Sequence, residues 1–147
     1  MPKATQKISQ QILEAEIETP KFSEISSSAP RLKLSLRLMH GEEIALGPGK
    51  AELLAAIAET GSISAAGKSM NMSYRRAWML VDVMNRCFKS PLVETAKGGS
   101  HGGGAWLTPF GKQVLAHYQA MDTAAKQVAK AYMGLFNQLM ADKPPSE

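Results

Sequence analysis

The chain of 147 residues has a single cysteine, Cys87, three histidines, and only 6% aromatic residues. One cysteine excludes an intramolecular disulfide and fits a reducing compartment, so a cytoplasmic location is expected. His40, His101 and His117 show no ligand-like spacing among themselves or with Cys87, which argues against a Cys/His zinc site. No stretch approaches the roughly 18 consecutive apolar residues of a membrane span. The first 30 residues lack a basic start leading into an apolar run, so neither a secretory leader nor a membrane partner is expected. Groups for acid–base chemistry are equally scarce. Glu42 and Glu43 are adjacent and would point to opposite sides if extended, and Ser100-His101 lies among glycines with no nearby acid. An enzyme is therefore not expected. At 44% hydrophobic and 20% charged residues, the composition is that of one folded domain with an appendage.

Charge is distributed unevenly. Residues 1–30 carry three Lys against four Glu, residues 31–118 carry eleven bases against six acids, and residues 119–147 carry three of each. From Lys68 to Lys112 there are seven bases and two acids. A basic patch confined to one sub-region suits a polyanion-binding face, although a solvated surface has the same composition.

The organisation changes at residue 31. Thr5 to Thr19 has the spacing of a short amphipathic helix ended by Pro20, and Phe22 to Pro30 is a Ser-rich linker, so residues 1–30 form an expected mobile arm. Leu32, Leu34, Leu36 and Leu38 alternate with Lys33, Ser35 and Arg37, which predicts a half-buried strand returning through His40-Gly41 to Glu43–Leu46. Gly47-Pro48-Gly49 should break the chain before a helix over Lys50–Thr60, ended by Gly61. Ser62 can cap a second helix striped by Ile63, Ala66 and Met70. Asn71 suits a left-handed turn, and Ser73 can cap a third helix with Ala77, Leu80, Val81 and Met84 inward.

Two short strands, Leu92–Ala96 and Ala105–Thr108, flank a loop with five glycines in the eight residues Lys97–Gly104. Thr108-Pro109 then starts a helix expected to reach about Met140, or about 48 Å at 1.5 Å per residue. Along it Tyr118, Met121, Ala125, Val128, Tyr132, Leu135 and Leu139 recur at 3, 4, 3, 4, 3, 4, the seam of a helix packed lengthwise on another. The economical partner is a second copy of the chain. Gly134 is a candidate break.

The fold expected from these elements is mainly α with a small β component: a winged helix-turn-helix over residues 31–111, then a long C-terminal dimerisation helix and tail over 112–147. In the helix-turn-helix, Ala65, Ala66 and Gly67 allow close helix approach. Tyr74, Arg75 and Arg76 face outward at the start of the recognition helix, where Arg can donate two hydrogen bonds to guanine. The bland alternative is a helical hairpin with solvated arginines. Trp78, off the main apolar stripe, is expected to pack against the wing or first strand, and Asp82 is spaced to pair with Arg86 or with the neighbourhood of Arg75. Gly61 to Ser69 resembles a phosphate-binding P-loop, but five residues rather than four separate its glycines and a helix precedes it, so nucleotide hydrolysis is not expected.

The stretch from Gly49 through Ala66, the run Met72-Ser-Tyr-Arg-Arg-Ala-Trp78, then Leu92-Val-Glu-Thr95, the Gly-rich loop and Leu107-Thr-Pro-Phe-Gly111 resemble the N-terminal domain of the ModE family. These are molybdate-responsive bacterial transcriptional regulators. More distantly, the region is similar to the winged DNA-binding domain of LysR-type regulators. The resemblance covers about residues 31–140. It implies a homodimer, formed through the long helix, binding a palindromic operator in double-stranded DNA as a repressor of genes for molybdate transport or molybdenum enzymes.

The DNA-contacting set it implies is Ser62, Ser64, Ser73, Tyr74, Arg75, Arg76, Lys97, Gly98, Gly99 and Gly102. Family members continue past the dimer helix into small β-barrel oxyanion modules, whereas this sequence ends at Glu147. A short form is therefore expected, with no cofactor held in this chain and molybdate possible only through the resemblance. Two other classes stay open: a small oxyanion-binding protein using cationic and Gly-rich loops, and a scaffold whose helix joins a separate sensor protein.

Overall fold

A computed structural model describes residues 28–97 and 104–146. The expected N-terminal helix over Thr5–Thr19 and most of the linker lie outside these residues. The elements in order are β1 (Leu38–His40), β2 (Glu43–Leu46), α1 (Pro48–Thr60), α2 (Ile63–Ser69), α3 (Tyr74–Cys87), β3 (Val93–Thr95), β4 (Ala105–Leu107) and α4 (Pro109–Asn137). They form a winged helix-turn-helix followed by a long helix, as expected. The described residues divide into two compact units, Ser35–Asp122 and residues 28–34 with 123–146. The head therefore begins at Ser35 and takes in the start of α4, so the boundary expected at Gly111 falls inside it. The reason is that Leu115 and Tyr118 of α4 are buried in the head core.

Short-range chemistry sets most element ends. Pro48 opens α1, where a missing N–H costs nothing, so the helix starts two residues earlier than the glycines suggest. Gly61 closes it at φ 71°, its N–H donating to Ile57 O. Ser62 Oγ accepts from Ala65 N at 3.1 Å and Ser73 Oγ from Arg76 N at 3.1 Å, capping α2 and α3. Asn71 takes the left-handed turn between them at φ 57°. α3 buries Ala77, Val81 and Met84.

The first strand is shorter than its alternating leucines predict. β1 begins only at Leu38, and a register irregularity follows at Leu38/Met39. β2 has four residues to offer before Pro48 starts a helix, so the chain upstream of Leu38 has no strand to pair with. Leu36 O is satisfied instead by Tyr118 Oη, which donates to it at 2.9 Å. The second hairpin is antiparallel, with Val93 opposite Leu107, Glu94 opposite Trp106 and Thr95 opposite Ala105. Val93, Ala105 and Leu107 face the core.

α4 is 29 residues long and runs through Gly134 without a break, ending at Asn137 rather than about Met140. Leu139 therefore lies beyond the helix. Tyr118, placed in the expected dimer seam, is only 6% exposed and serves its own chain's core. Met121, Val128, Tyr132 and Leu135 are exposed, and Ala125 is half-buried.

Two glycines mark close backbone approaches. A Cβ on Gly67 would lie 2.9 Å from Ala77 Cβ, and one on Gly111 would lie 2.1 Å from Leu92 O. Alanine in a helix gains about 1 kcal/mol over glycine, whereas overpacking typically costs about 1–3 kcal/mol, so both substitutions should lose. Gly111→Ala should lose more, because the obstructing atom is backbone. Urea denaturation should show a small loss for Gly67→Ala and a loss above about 3 kcal/mol, or no folding, for Gly111→Ala. Equal midpoints for Gly111→Ala and the unmodified protein would contradict the approach at Leu92.

Candidate nucleic-acid interface

The helix pair α2–α3 is locked at its turn, where Met72 N donates to Gly67 O at 3.0 Å. This leaves the first two turns of α3 projecting outward. At 3.6 residues per turn, Arg75 and Met79 fall opposite the buried stripe of Ala77, Val81 and Met84, with Asp82 and Arg86 continuing the same line. Tyr74, Trp78 and Asn85 lie on one flank and Arg76 on the other. Arg75 and Arg76 are both exposed, and among the described residues neither has an acidic partner. Arg86 does have one: it pairs with Asp82 at 3.0 Å, an exposed pair that contributes little to stability but cancels the charge of the last turn. Uncompensated positive charge on α3 is thereby confined to its N-terminal turn.

Asn85 ties the wing to this helix. Its Oδ1 accepts from Leu92 N at 2.8 Å and Val93 N at 3.2 Å, and its Nδ2 donates to Val93 O at 3.1 Å. At the other end of the hairpin, Ala105 N donates to Gly61 O at 2.9 Å. Thr108 Oγ1 donates to Pro91 O at 2.7 Å and accepts from Gly111 N at 2.9 Å, capping α4 while bracing the strand before the wing. The hairpin is thus held on three sides by hydrogen bonds, not by apolar packing alone.

Between wing and α3 lies an open cleft of about 510 Å³ whose lining includes Ser62, Ser64, Tyr74, Trp78, Thr95 and Lys97. The structure therefore brings four of the expected contact residues, Ser62, Ser64, Tyr74 and Lys97, to one cleft. Arg75 stands on the adjoining outer face of the helix and Arg76 on the flank away from the cleft. The Oγ atoms of Ser62 and Ser73 are engaged as cap acceptors, leaving each hydroxyl one proton to donate. Gly98, Gly99 and Gly102 lie outside the described residues. Trp78 does face the wing, as expected, but remains 38% exposed with its ring edge-on to Tyr74 at 6.2 Å and 78°.

Asn85 was not singled out by sequence; its one local signal is a poor helix former placed inside a helix. Met79, an apolar residue, is 60% exposed on the outer line of α3. Among the described residues there is no group of three or more His, Cys, Asp or Glu that could hold a metal ion, and no helix is long and apolar enough to cross a membrane.

Residues 49–112 match the family described as bacterial regulatory helix-turn-helix protein, lysR family. The chain is 41% identical over 87 residues to the molybdenum-pterin-binding protein MopB of Rhodobacter capsulatus, covering 59% of this chain and 32% of that protein. It is 41% identical over 78 residues to the molybdenum transport protein ModE of Azotobacter vinelandii, covering 53% and 29% respectively. It is 38% identical over 88 residues to the DNA-binding transcriptional dual regulator ModE of Escherichia coli (strain K12), covering 60% and 33%. The chain thus spans about a third of the length of these relatives. The matched segment carries a helix-turn-helix of bacterial regulators, and the similarity is to regulators rather than enzymes.

Removing the Asn85 side chain should leave the buried Leu92 N–H without its acceptor, at a cost of about 1–3 kcal/mol. Asn85→Ala should therefore melt earlier than the unmodified protein, and the amides of Leu92 and Val93 should exchange hydrogen faster. Unchanged protection of both amides would show that the clamp does not hold the wing.

Proposed function

We propose that this chain is a transcriptional regulator of the ModE type that reads double-stranded DNA as a homodimer, binding a palindromic operator and repressing genes for molybdate transport or molybdenum enzymes. The observation that carries the DNA reading is the exposed Arg75-Arg76 pair on the first turn of α3, beside a cleft whose far wall holds Lys97. In this reading Arg75 meets guanine in the major groove, where a bidentate contact gives about 1–3 kcal/mol of discrimination. Arg76, Ser62, Ser64, Ser73 and Tyr74 position the helix. Lys97, with Gly98, Gly99 and Gly102, brings the wing to the phosphate backbone. A cytoplasmic location goes with this role.

The dimer reading is supported by the exposed apolar line of Met121, Val128, Tyr132 and Leu135 on α4, completed by Ala125. Tyr118 is no part of it. Burying a Val or Leu fully is worth about 1.5–3 kcal/mol, so a few such side chains suffice to hold two copies together. The names of the relatives point to a molybdenum species as the signal. In this reading no described residue of the chain binds it, and effector recognition belongs to a further module or a separate sensor protein.

Selection of bound DNA from a random-sequence pool tests the central part. An inverted repeat should be enriched, with half-site centres about 34 Å apart or a multiple of it. Arg75→Ala should relax the preference at one base pair per half-site. Lys97→Ala should weaken binding evenly across sequences and reduce the slope of log affinity against log salt by about one. A retained pool without an enriched sequence would leave phosphate binding alone. For the dimer, Leu135→Asp should shift the protein to monomer in sedimentation and weaken operator binding; a variant that stays dimeric would remove α4 from the interface.

A further inference from the structure

The outer line of α3 presents two different chemistries to whatever it meets. Arg75 is followed one turn later by Met79, 60% exposed, and Trp78 stands beside Met79 on the wing-facing flank, 38% exposed and held edge-on by Tyr74. Neither Met79 nor Trp78 is needed for the core, which α3 builds from Ala77, Val81 and Met84. Large apolar side chains left on the outside of a helix ask for an apolar partner. The major groove edge of DNA offers one that differs between base pairs, the C5-methyl group of thymine.

We infer that Met79 is a second specificity-determining residue that reads the methyl group of a thymine, in series with the guanine read by Arg75. The inference rests on the DNA reading above and extends it to a base that carries no hydrogen bond from the protein. Arg75 and Met79 are four residues apart, about 6 Å along the helix axis, and B-DNA rises 3.4 Å per base pair along a strand. With α3 lying along the groove, the thymine sits about two base pairs from the guanine. The thioether suits this task because it is unbranched and adapts its shape to the surface it meets. The Asp82–Arg86 pair closes the readable part of the helix: one turn beyond Met79 the outer line is self-neutralised.

The test uses the full chain and the duplex enriched by selection, with each thymine in turn replaced by deoxyuridine, which removes only the methyl group. One buried methyl corresponds to about a fourfold loss of affinity. That loss should appear at one thymine per half-site, about two base pairs from the guanine whose preference Arg75→Ala relaxes. Met79→Ala should bind the thymine and deoxyuridine duplexes equally. Because Met79 is so exposed, this variant keeps the fold, and circular dichroism melting checks that it does. If no thymine shows methyl dependence, or if Met79→Ala retains it, while the guanine preference of Arg75 persists, the assignment to Met79 falls and the DNA reading stands. If selection enriches no sequence at all, the underlying reading fails and this inference goes with it.

Discussion

The peptide of Leu92 is the point on which the placement of the wing depends. Its N–H donates to Asn85 of the recognition helix at 2.8 Å, and its carbonyl accepts from Thr108 N at 2.9 Å. Gly111 is packed so tightly on that carbonyl that no side chain fits between. Three elements, α3, the hairpin and α4, therefore meet at one fully buried residue. Polar bonds in a buried setting are directional and costly to break, so the junction fixes angles as well as distances. The consequence for function is that Lys97 shares a cleft with Tyr74 and Trp78 of α3 because β3 leaves Leu92 in a set direction.

The sequence was informative wherever the controlling interaction is local. Ser62, Ser73 and Thr108 each cap a helix by accepting from an N–H three residues on, and Gly61 and Asn71 take positive φ at turns. Such chemistry is contained within a few residues and can be read from them. The helix-turn-helix and the wing follow from those marks. The small residues of α2 also gave a correct account of why it approaches α3 so closely, with Gly67 against Ala77.

What escaped was set by contacts far apart in the chain. The alternating leucines before residue 38 carry a strand pattern, yet pairing needs a partner, and β2 is too short to provide one. Tyr118 fits a heptad seam by spacing, but its hydroxyl reaches back to Leu36 O, 82 residues away, and it is buried there. Asn85 acts across seven and eight residues through three hydrogen bonds that no helical periodicity signals. Periodicity tells which side of a helix is apolar; it does not tell which apolar residue its own core has already taken.

The outer face of α3 combines exposed cationic and apolar side chains in its first two turns, followed by a neutralised third. That order is consistent with a helix lying in the major groove with the residues of its N-terminal half on the base edges. Methylation interference with dimethyl sulfate tests this most directly, because it places a methyl group on guanine N7 at the floor of that groove. On a duplex enriched by selection, methylation of one guanine per half-site should block binding by the unmodified protein, and Arg75→Ala should lose that sensitivity. Full binding to duplexes methylated at every guanine of the half-site would contradict major-groove recognition by α3.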